Sequence, residues 1–342
     1  TRAEELHEVA RRLREAMPML AEAATREMGK PFKESANEVW WAASAFDYYA
    51  EIARHEAGRV VGPNVDGDLH VVTKHPLGVV GVILPYNFPF VLFGWEASAA
   101  LAAGNAVIMK PSELCSFSSL VLMECFDHLP KGLMQCIPGA LETGKALVGH
   151  KGVDGIAFTG SVPGGQAVAR TCADTFKRAL IEASGNDAFM VMPSARMSVA
   201  SQAAVFASFA NCGQVCTSAE RLYIHDDVHD QFVEEVTQLA SRLRIGNGLD
   251  KVDLGPMAAQ RERDRFEGVL AHAVDQGAKV ALGGSRPDGF NRGFFHSPTI
   301  LTGCTPDMDI MNNESFGPVM PICRVGSFDE AMDLANNSDY GL

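Results

Sequence analysis

The 342-residue sequence predicts an α/β protein: a doubly wound, mostly parallel sheet of Rossmann-like type, a second α/β domain, and a protruding β-hairpin. Three observations predict it. Short apolar runs recur at 78–84, 105–109, 133–137, 155–158 and 178–182, separated by helix-length segments at about 90–103, 116–128, 142–150 and 164–174. Strands alternating with helices at that spacing specify parallel pairing. After Asp187 comes a second section, with strand-like runs at 219–225, 278–281, 294–301 and 319–325 and helical runs at 228–243 and 258–276. Residues 59–77 carry turn signals and strand alternation but too few apolar residues for a core, as a hairpin that pairs elsewhere would.

Taken in order, residues 2–28 read as an amphipathic helix with Leu6, Val9, Leu13 and Leu20 along one side, ended by Gly29 and Pro31. A second helix runs from about Glu34 to His55 and carries Trp40, Trp41, Phe46 and Tyr49. From Gly78 the strand–helix rhythm begins. Doubly wound sheets bind ligands at the carboxyl ends of their strands, and polar loops fall there: Pro85-Tyr-Asn-Phe-Pro89, Lys110-Pro-Ser-Glu113, Thr159 to Gly165, and Glu182-Ala-Ser-Gly-Asn186. Between an apolar-periodic segment and the run Ala219 to His225 lies the loop Asn211 to Ser218, where the thiol of Cys216 is reachable.

Composition limits the function classes. A formal net charge of −13, without clustered Lys or Arg, argues against nucleic acid or an anionic membrane as partner. The most apolar stretch, Phe88 to Met109, is broken by Glu96, Gly104 and Asn105, and does not span a bilayer. The first thirty residues are charged and helix-periodic, unlike a signal peptide. Eight cysteines without small-domain spacing fit reduced thiols in a cytoplasmic setting. The chain starts at Thr1 and stops at Leu342, and both ends read as cut.

Each chemical motif has a plainer rival. Gly160-Ser161 after a strand suits a phosphate at a helix N-terminus, yet G-x-G-x-x-G is absent and a capped turn is the commoner use of such a loop. Lys110 with Glu113 is a common surface pair; as a ribose ligand, Glu113 would repel a 2′-phosphate and favour NAD over NADP. Gly139 to Lys145 has P-loop spacing, but Ala146 stands where a hydroxyl must hold Mg²⁺. Taken singly, Asn87 is a turn amide and Glu182 a solvated strand end. Cys212 and Cys216 lack further ligands at metal spacing, so no metal is expected.

Together the motifs resemble the aldehyde dehydrogenase superfamily. Pro85-Tyr-Asn-Phe-Pro89, Met109-Lys-Pro-Ser-Glu113, Phe158-Thr-Gly-Ser161, Glu182-x-x-Gly185, Asn211-x-Gly-Gln-x-Cys216 and Glu314-x-Phe-Gly-Pro-Val319 occur in the family's order. The intervals fit as well, with 34 residues from Glu182 to Cys216 and 98 from there to Glu314. Glu27-Met-Gly-Lys-Pro31 is most similar to the succinate-semialdehyde branch.

The resemblance implies that Cys216 attacks an aldehyde, Asn87 and the Cys216 backbone N–H hold the oxyanion, and Glu182, its pKa raised by burial, activates the hydrolytic water. It assigns Lys110, Ser112 and Glu113 to the adenine side of NAD, or NADP. It gives Gly160, Ser161 and Gly165 to the pyrophosphate turn, and Glu314 and Phe316 to the nicotinamide ribose. Phe88, Leu92 and Trp95 would line the aldehyde tunnel. Residues 1–58 and 78–187 become a dinucleotide-binding domain, 59–77 an oligomerisation arm of a homodimer or homotetramer, and 188–342 a catalytic domain. The family pattern continues past the position of Leu342, through further strands, the far tunnel wall and a terminal oligomerisation strand. Tyr86, Pro163, Ser184 and Asn186 depart from the pattern, and Cys212 adds a thiol able to form a disulfide with Cys216. Two other readings stand beside this one: a CoA-acylating relative, against which Glu182 argues, and a catalytically silent protein of the same fold. Lys177 and Arg178 read as an exposed basic pair rather than a substrate anchor.

Overall fold

The computed structural model describes residues 1–55 and 58–342; the expected first segment, 1–58, includes residues 56 and 57, which lie outside the described residues. The chain divides into two units, one of Thr1–Ala24 and Ser35–Ala183, the other of Thr25–Glu34 and Ser184–Leu342.

The first unit begins with helices α1 (Arg2–Met28) and α2 (Phe32–His55). Leu6, Val9, Leu13 and Leu20 are buried at helical spacing, as the sequence predicts. A short antiparallel pair follows, β1 (Arg59–Val61) and β2 (His70–Val72), with Val60, Val71 and the connecting Leu69 exposed. Then come β3 (Val79–Ile83), α3 (Pro89–Ala102), β4 (Ala106–Lys110), α4 (Ser116–Met123), β5 (Met134–Cys136), α5 (Leu141–Gly149), β6 (Gly155–Gly160), α6 (Val162–Asp174) and β7 (Arg178–Ala183). The sheet is parallel throughout, in the order β5-β4-β3-β6-β7. The strand order reverses between β3 and β6, the crevice where doubly wound sheets hold ligands.

Strand residues alternate between two apolar layers. Val80, Val82, Val107, Met109 and Ala157 pack into a core shared with α1, α2 and α3. Val79, Ile83, Ile108, Ile156 and Phe158 face a second cluster with Leu147, Val168 and Cys172. That period of two follows from the pleat, and covering both faces makes these strands near-continuous apolar runs. Helix α3 opens with Pro89, which needs no N–H at that position. The next two amides, of Phe90 and Val91, donate to the buried carboxylate of Glu38 at 2.5 and 3.2 Å.

The second unit contains β8 (Asp187–Val191), α7 (Met197–Phe209), β9 (Ala219–His225), α8 (Asp226–Ala240), α9 (Gln260–Asp275), β10 (Lys279–Leu282), β11 (Thr299–Thr302), β12 (Val319–Val325) and α10 (Phe328–Asn336). Its sheet runs β10-β11-β12-β9-β8, parallel except where β10 meets β11. Leu222, Ile224, Phe232, Phe266 and Ile322 lie in its core.

Some boundaries differ from expectation. Strand β8, with one β-branched residue in five, carries little strand signal and is made by its register with β9. The helix expected at 116–128 ends at Met123 and tightens into a 3₁₀ turn over Glu124–Phe126. The strand expected at 294–301 is confined to Thr299–Thr302. No helix among the described residues is long and apolar enough to cross a membrane.

Candidate active site

In the first unit the expected site residues fall at the carboxyl ends of the parallel strands. Asn87 is buried in the turn from β3 to α3. Lys110, the last residue of β4, is buried and its pKa is lowered by desolvation, with Glu113 acting in the opposite direction. Ser112 is buried and its hydroxyl accepts the Leu114 amide, while Glu113 beside it is exposed. After β6, Ser161 caps α6 by accepting the Gly164 amide at 3.4 Å. A Cβ on Gly160 would lie 2.8 Å from the Phe158 ring, and one on Gly165 would lie 2.9 Å from Ile181. The turn therefore stays bare of side chains and close to the sheet, and Pro163 fits the first turn of α6, where a missing N–H costs no helical bond.

Bare backbone, a capped helix start and a carboxylate after β4 fit a nicotinamide dinucleotide. Lys110, Ser112 and Glu113 would hold its adenosine side, and the Gly160–Gly165 turn its pyrophosphate.

Glu182, expected as the buried base, is exposed at the end of β7. A buried carboxylate lies beside it, Glu96 on α3. The Thr159 hydroxyl donates to Glu96 Oε1 at 2.5 Å, and Thr159 pairs in register with Glu182 across β6 and β7. Burial pushes Glu96 up to about 7, opposed by the Thr159 bond and reinforced by Glu182. The three residues expected to line the tunnel differ in burial. Leu92 is packed in the core and Phe88 leans on that core, whereas Trp95 is exposed.

In the second unit the nucleophile loop is held in an unusual backbone shape. Asn211, Cys212 and Gly213 have φ of +48°, +58° and +70°. Two non-glycine residues in that region cost of order 1–3 kcal/mol each, so neighbouring groups must fix them. The Asn211 amide donates to Glu34 at 2.9 Å, and its side chain to the Gln214 carbonyl. Gln214 in turn donates to the Asn211 carbonyl and accepts the Ala258 amide. Cys216 follows in a turn, partly exposed. Its carbonyl passes so close to Gly185 that a Cβ there would lie 2.1 Å from the oxygen.

Glu314 meets the same backbone. The Gly185 amide donates to its carboxylate at 3.2 Å, and burial raises the Glu314 pKa despite that bond. Phe316 has φ +45°, and a Cβ on Gly213 would lie 2.0 Å from the Gly317 carbonyl oxygen. The loops carrying Cys216, Gly185 and Glu314 are therefore in backbone contact.

Of the departures at 184–186, Asn186 gains an explanation and Ser184 does not. Ser184 has φ +45°. The Asn186 side chain donates to Glu220, and its carbonyl accepts Arg221 Nε at 2.6 Å, so this segment is fastened to β9. Cys212 does not behave as expected: it is buried in the core and burial pushes its thiol up to about 12, which removes the thiolate a disulfide exchange requires. Among the described residues no cluster of His, Cys, Asp or Glu could hold a metal. Sequence reasoning did not find Glu34, Glu38, Glu96 or Glu220, since an acidic residue ordinarily reads as solvated wherever it stands.

The model of the aldehyde dehydrogenase family matches residues 1–342. Betaine aldehyde dehydrogenase of Bacillus subtilis (strain 168) is 33% identical over 341 residues, covering 98% of this chain and 69% of that protein. The structure of a 3,6-anhydro-L-galactose dehydrogenase in complex with NAP superposes with TM-score 0.97 at 36% identity, covering 100% of this chain and 73% of that one. The structure of Staphylococcus aureus betaine aldehyde dehydrogenase in complex with NAD+ does so with TM-score 0.97 at 30% identity, covering 100% and 69%.

Proposed function

This chain belongs to the aldehyde dehydrogenase family, and from that premise we propose that it uses Cys216 to oxidise a small aldehyde, semialdehydes included, to the carboxylate. It is an oxidoreductase acting on aldehydes with NAD or NADP as acceptor. The observation that carries the assignment of the nucleophile is the seating of Cys216. Its backbone rests against Gly185, whose amide is bound to Glu314, so the thiol is presented from a fixed main chain.

In this reading the Cys216 sulfur adds to the aldehyde carbon. The developing oxyanion takes hydrogen bonds from the Asn87 side chain and the Cys216 backbone N–H, each such donor lowering the barrier by ~3 kcal/mol. A bound nicotinamide supplies the hydride acceptor. Glu182 removes a proton from the water that hydrolyses the Cys216 thioester, and Cys216 leaves as thiolate. Glu314 and Phe316 orient the nicotinamide ribose. Unit 1 carries Lys110, Ser112, Glu113, Gly160, Ser161 and Gly165 for the cofactor, which makes it the dinucleotide-binding domain; unit 2, with Cys216, is the catalytic domain. The exposed residues of the hairpin support an oligomerisation arm, for a homodimer or homotetramer. Eight free cysteines support a cytoplasmic setting.

The test is a pre-steady-state measurement of NADH formation with betaine aldehyde, 3,6-anhydro-L-galactose and succinate semialdehyde, on the wild type and Cys216→Ser. A burst near one equivalent per site is expected with at least one aldehyde, and its loss in the variant. A burst that survives in Cys216→Ser would refute the assignment.

A further inference from the structure

Glu220 has no part in the reaction steps, yet its carboxylate accepts four hydrogen bonds. It lies on β9, four residues after Cys216, with 2% of its surface exposed. Four donors converge on its two oxygens. Oε1 accepts the Phe316 amide and the Ser315 hydroxyl, each at 2.8 Å. Oε2 accepts the Ser315 amide at 2.9 Å and the Asn186 side chain at 3.3 Å. Three of the four partners are N–H groups that only donate, and the Ser315 hydroxyl donates as well, so the arrangement fits a carboxylate better than a carboxylic acid or an amide.

Three of the four donors belong to Ser315 and Phe316, next to Glu314, and the fourth belongs to the segment after Gly185. Phe316 sits at φ +45°, a conformation a non-glycine residue keeps only when its surroundings hold it. Bonds from two successive amides to one buried carboxylate supply that hold. From these contacts we infer that Glu220 is a positioning residue, whose carboxylate fixes the Glu314–Phe316 loop in the shape that grips the nicotinamide ribose. The inference rests on the proposed role of Glu314 and Phe316.

The electrostatic surroundings make this grip sensitive to pH. Burial pushes Glu220 up to about 7, the bonds from Phe316 and Ser315 pull it down, and Glu314 pushes it up again. Arg221, the next residue, offers little compensation, because its guanidinium is turned to the carbonyls of Asn186, Leu334 and Ala335. Asp187 faces Arg221 rather than Glu220 and is itself raised by burial. Protonating Glu220 removes acceptor capacity that three N–H donors rely on, so the loop loosens as pH falls.

The experiment is a fluorescence titration with NADH between pH 6 and 8.5 on the wild type, Glu220→Gln, Glu220→Ala and Glu314→Gln, with the rate of Cys216 alkylation as a control. Glu220→Gln keeps the shape and loses two acceptor positions. It should weaken NADH binding and raise KM for NAD about tenfold, with kcat changed less than KM and alkylation within about twofold of wild type. Wild-type affinity should fall several-fold from pH 8.5 to pH 6, and that slope should be smaller in Glu220→Gln, where only Glu314 still titrates in this loop. NADH affinity unchanged in both Glu220 variants, with Glu314→Gln impaired, would overturn the inference and leave the reading of Glu314 intact. A neutral Glu314→Gln with impaired Glu220 variants would instead remove the role given to Glu314 and keep the loop as the element that Glu220 holds. A wild-type affinity flat from pH 6 to 8.5 would also overturn the inference, whether or not the variants fold.

Discussion

Gly185→Ala tests the seating of the nucleophile directly. The added methyl group would lie 2.1 Å from the Cys216 carbonyl oxygen and 3.2 Å from its carbonyl carbon. Both neighbours are main chain, so neither can rotate away. To reach an ordinary contact one backbone must withdraw by about 1 Å, and a displacement of that size at a reacting group can cost roughly 100-fold in rate. That is ~2.7 kcal/mol of transition-state stabilisation. The same shift moves the Gly185 amide, which donates to Glu314. The assay is single-turnover NADH formation beside thermal melting. We expect the hydride-transfer rate to fall by about two orders of magnitude, with an overpacking loss of about 1–3 kcal/mol in stability. A variant with wild-type single-turnover rate would show that the Cys216 backbone is not the element that sets reactivity, and the carrying observation would fail with it.

Cys212→Ser should leave inactivation by hydrogen peroxide within about twofold of wild type, because burial holds that thiol up at about 12; marked protection would restore the disulfide expectation. Glu38→Ala leaves the amides of Phe90 and Val91 buried without their acceptor, at about 2–4 kcal/mol, and should lower Tm by several degrees; an unchanged melt would contradict this. Glu96 is raised in the folded state to about 7 against an ordinary value near 4.5, so the folded protein binds its proton more tightly between those values. The stabilisation is fully present below about pH 4.5 and is lost as pH rises through about 7. The Tm of wild type relative to Glu96→Gln should therefore be higher at pH 5 than at pH 8, and a pH-independent difference would rule out the burial effect.

The strands and helices of both units were legible because burial on two faces writes itself as apolar runs and on one face as a 3.6-residue period. Val80 and Val82 against Ile83 and Val79 show the pattern turned into two layers. The loops around Asn87, Lys110, Gly160 and Glu182 were legible as well, since polar residues at strand ends are where such sheets bind ligands, and the Cys216 loop was legible as a small polar stretch between a helix and a strand. Four carboxylates were not. Glu38 and Glu220 are buried because distant amides converge on them, and nothing near them in sequence announces those amides. Glu34 is recruited by the strained Asn211, 177 residues away, and Glu96 by Thr159, 63 residues away. The sequence of β8 also lacks the β-branched residues that would have marked it, and its pairing with β9 supplies what propensity does not. The burial of Leu92 was not legible for a related reason: an apolar residue on a helix near a ligand loop has the same letter whether it faces the ligand or the core.

Beside the carboxylates that hold the second unit's loops, four joints are made by main chain on main chain: Gly185 on Cys216, Gly213 on Gly317, and Gly248 and Gly255 on the carbonyl of Gly29. Such joints take no account of which side chains surround them. Residues lining the approach to Cys216 can then be exchanged for larger, smaller or charged ones without shifting the sulfur. Variants that alter which aldehyde is accepted should accordingly be common among side-chain substitutions around these loops, and variants that alter how fast hydride leaves should concentrate at the glycines.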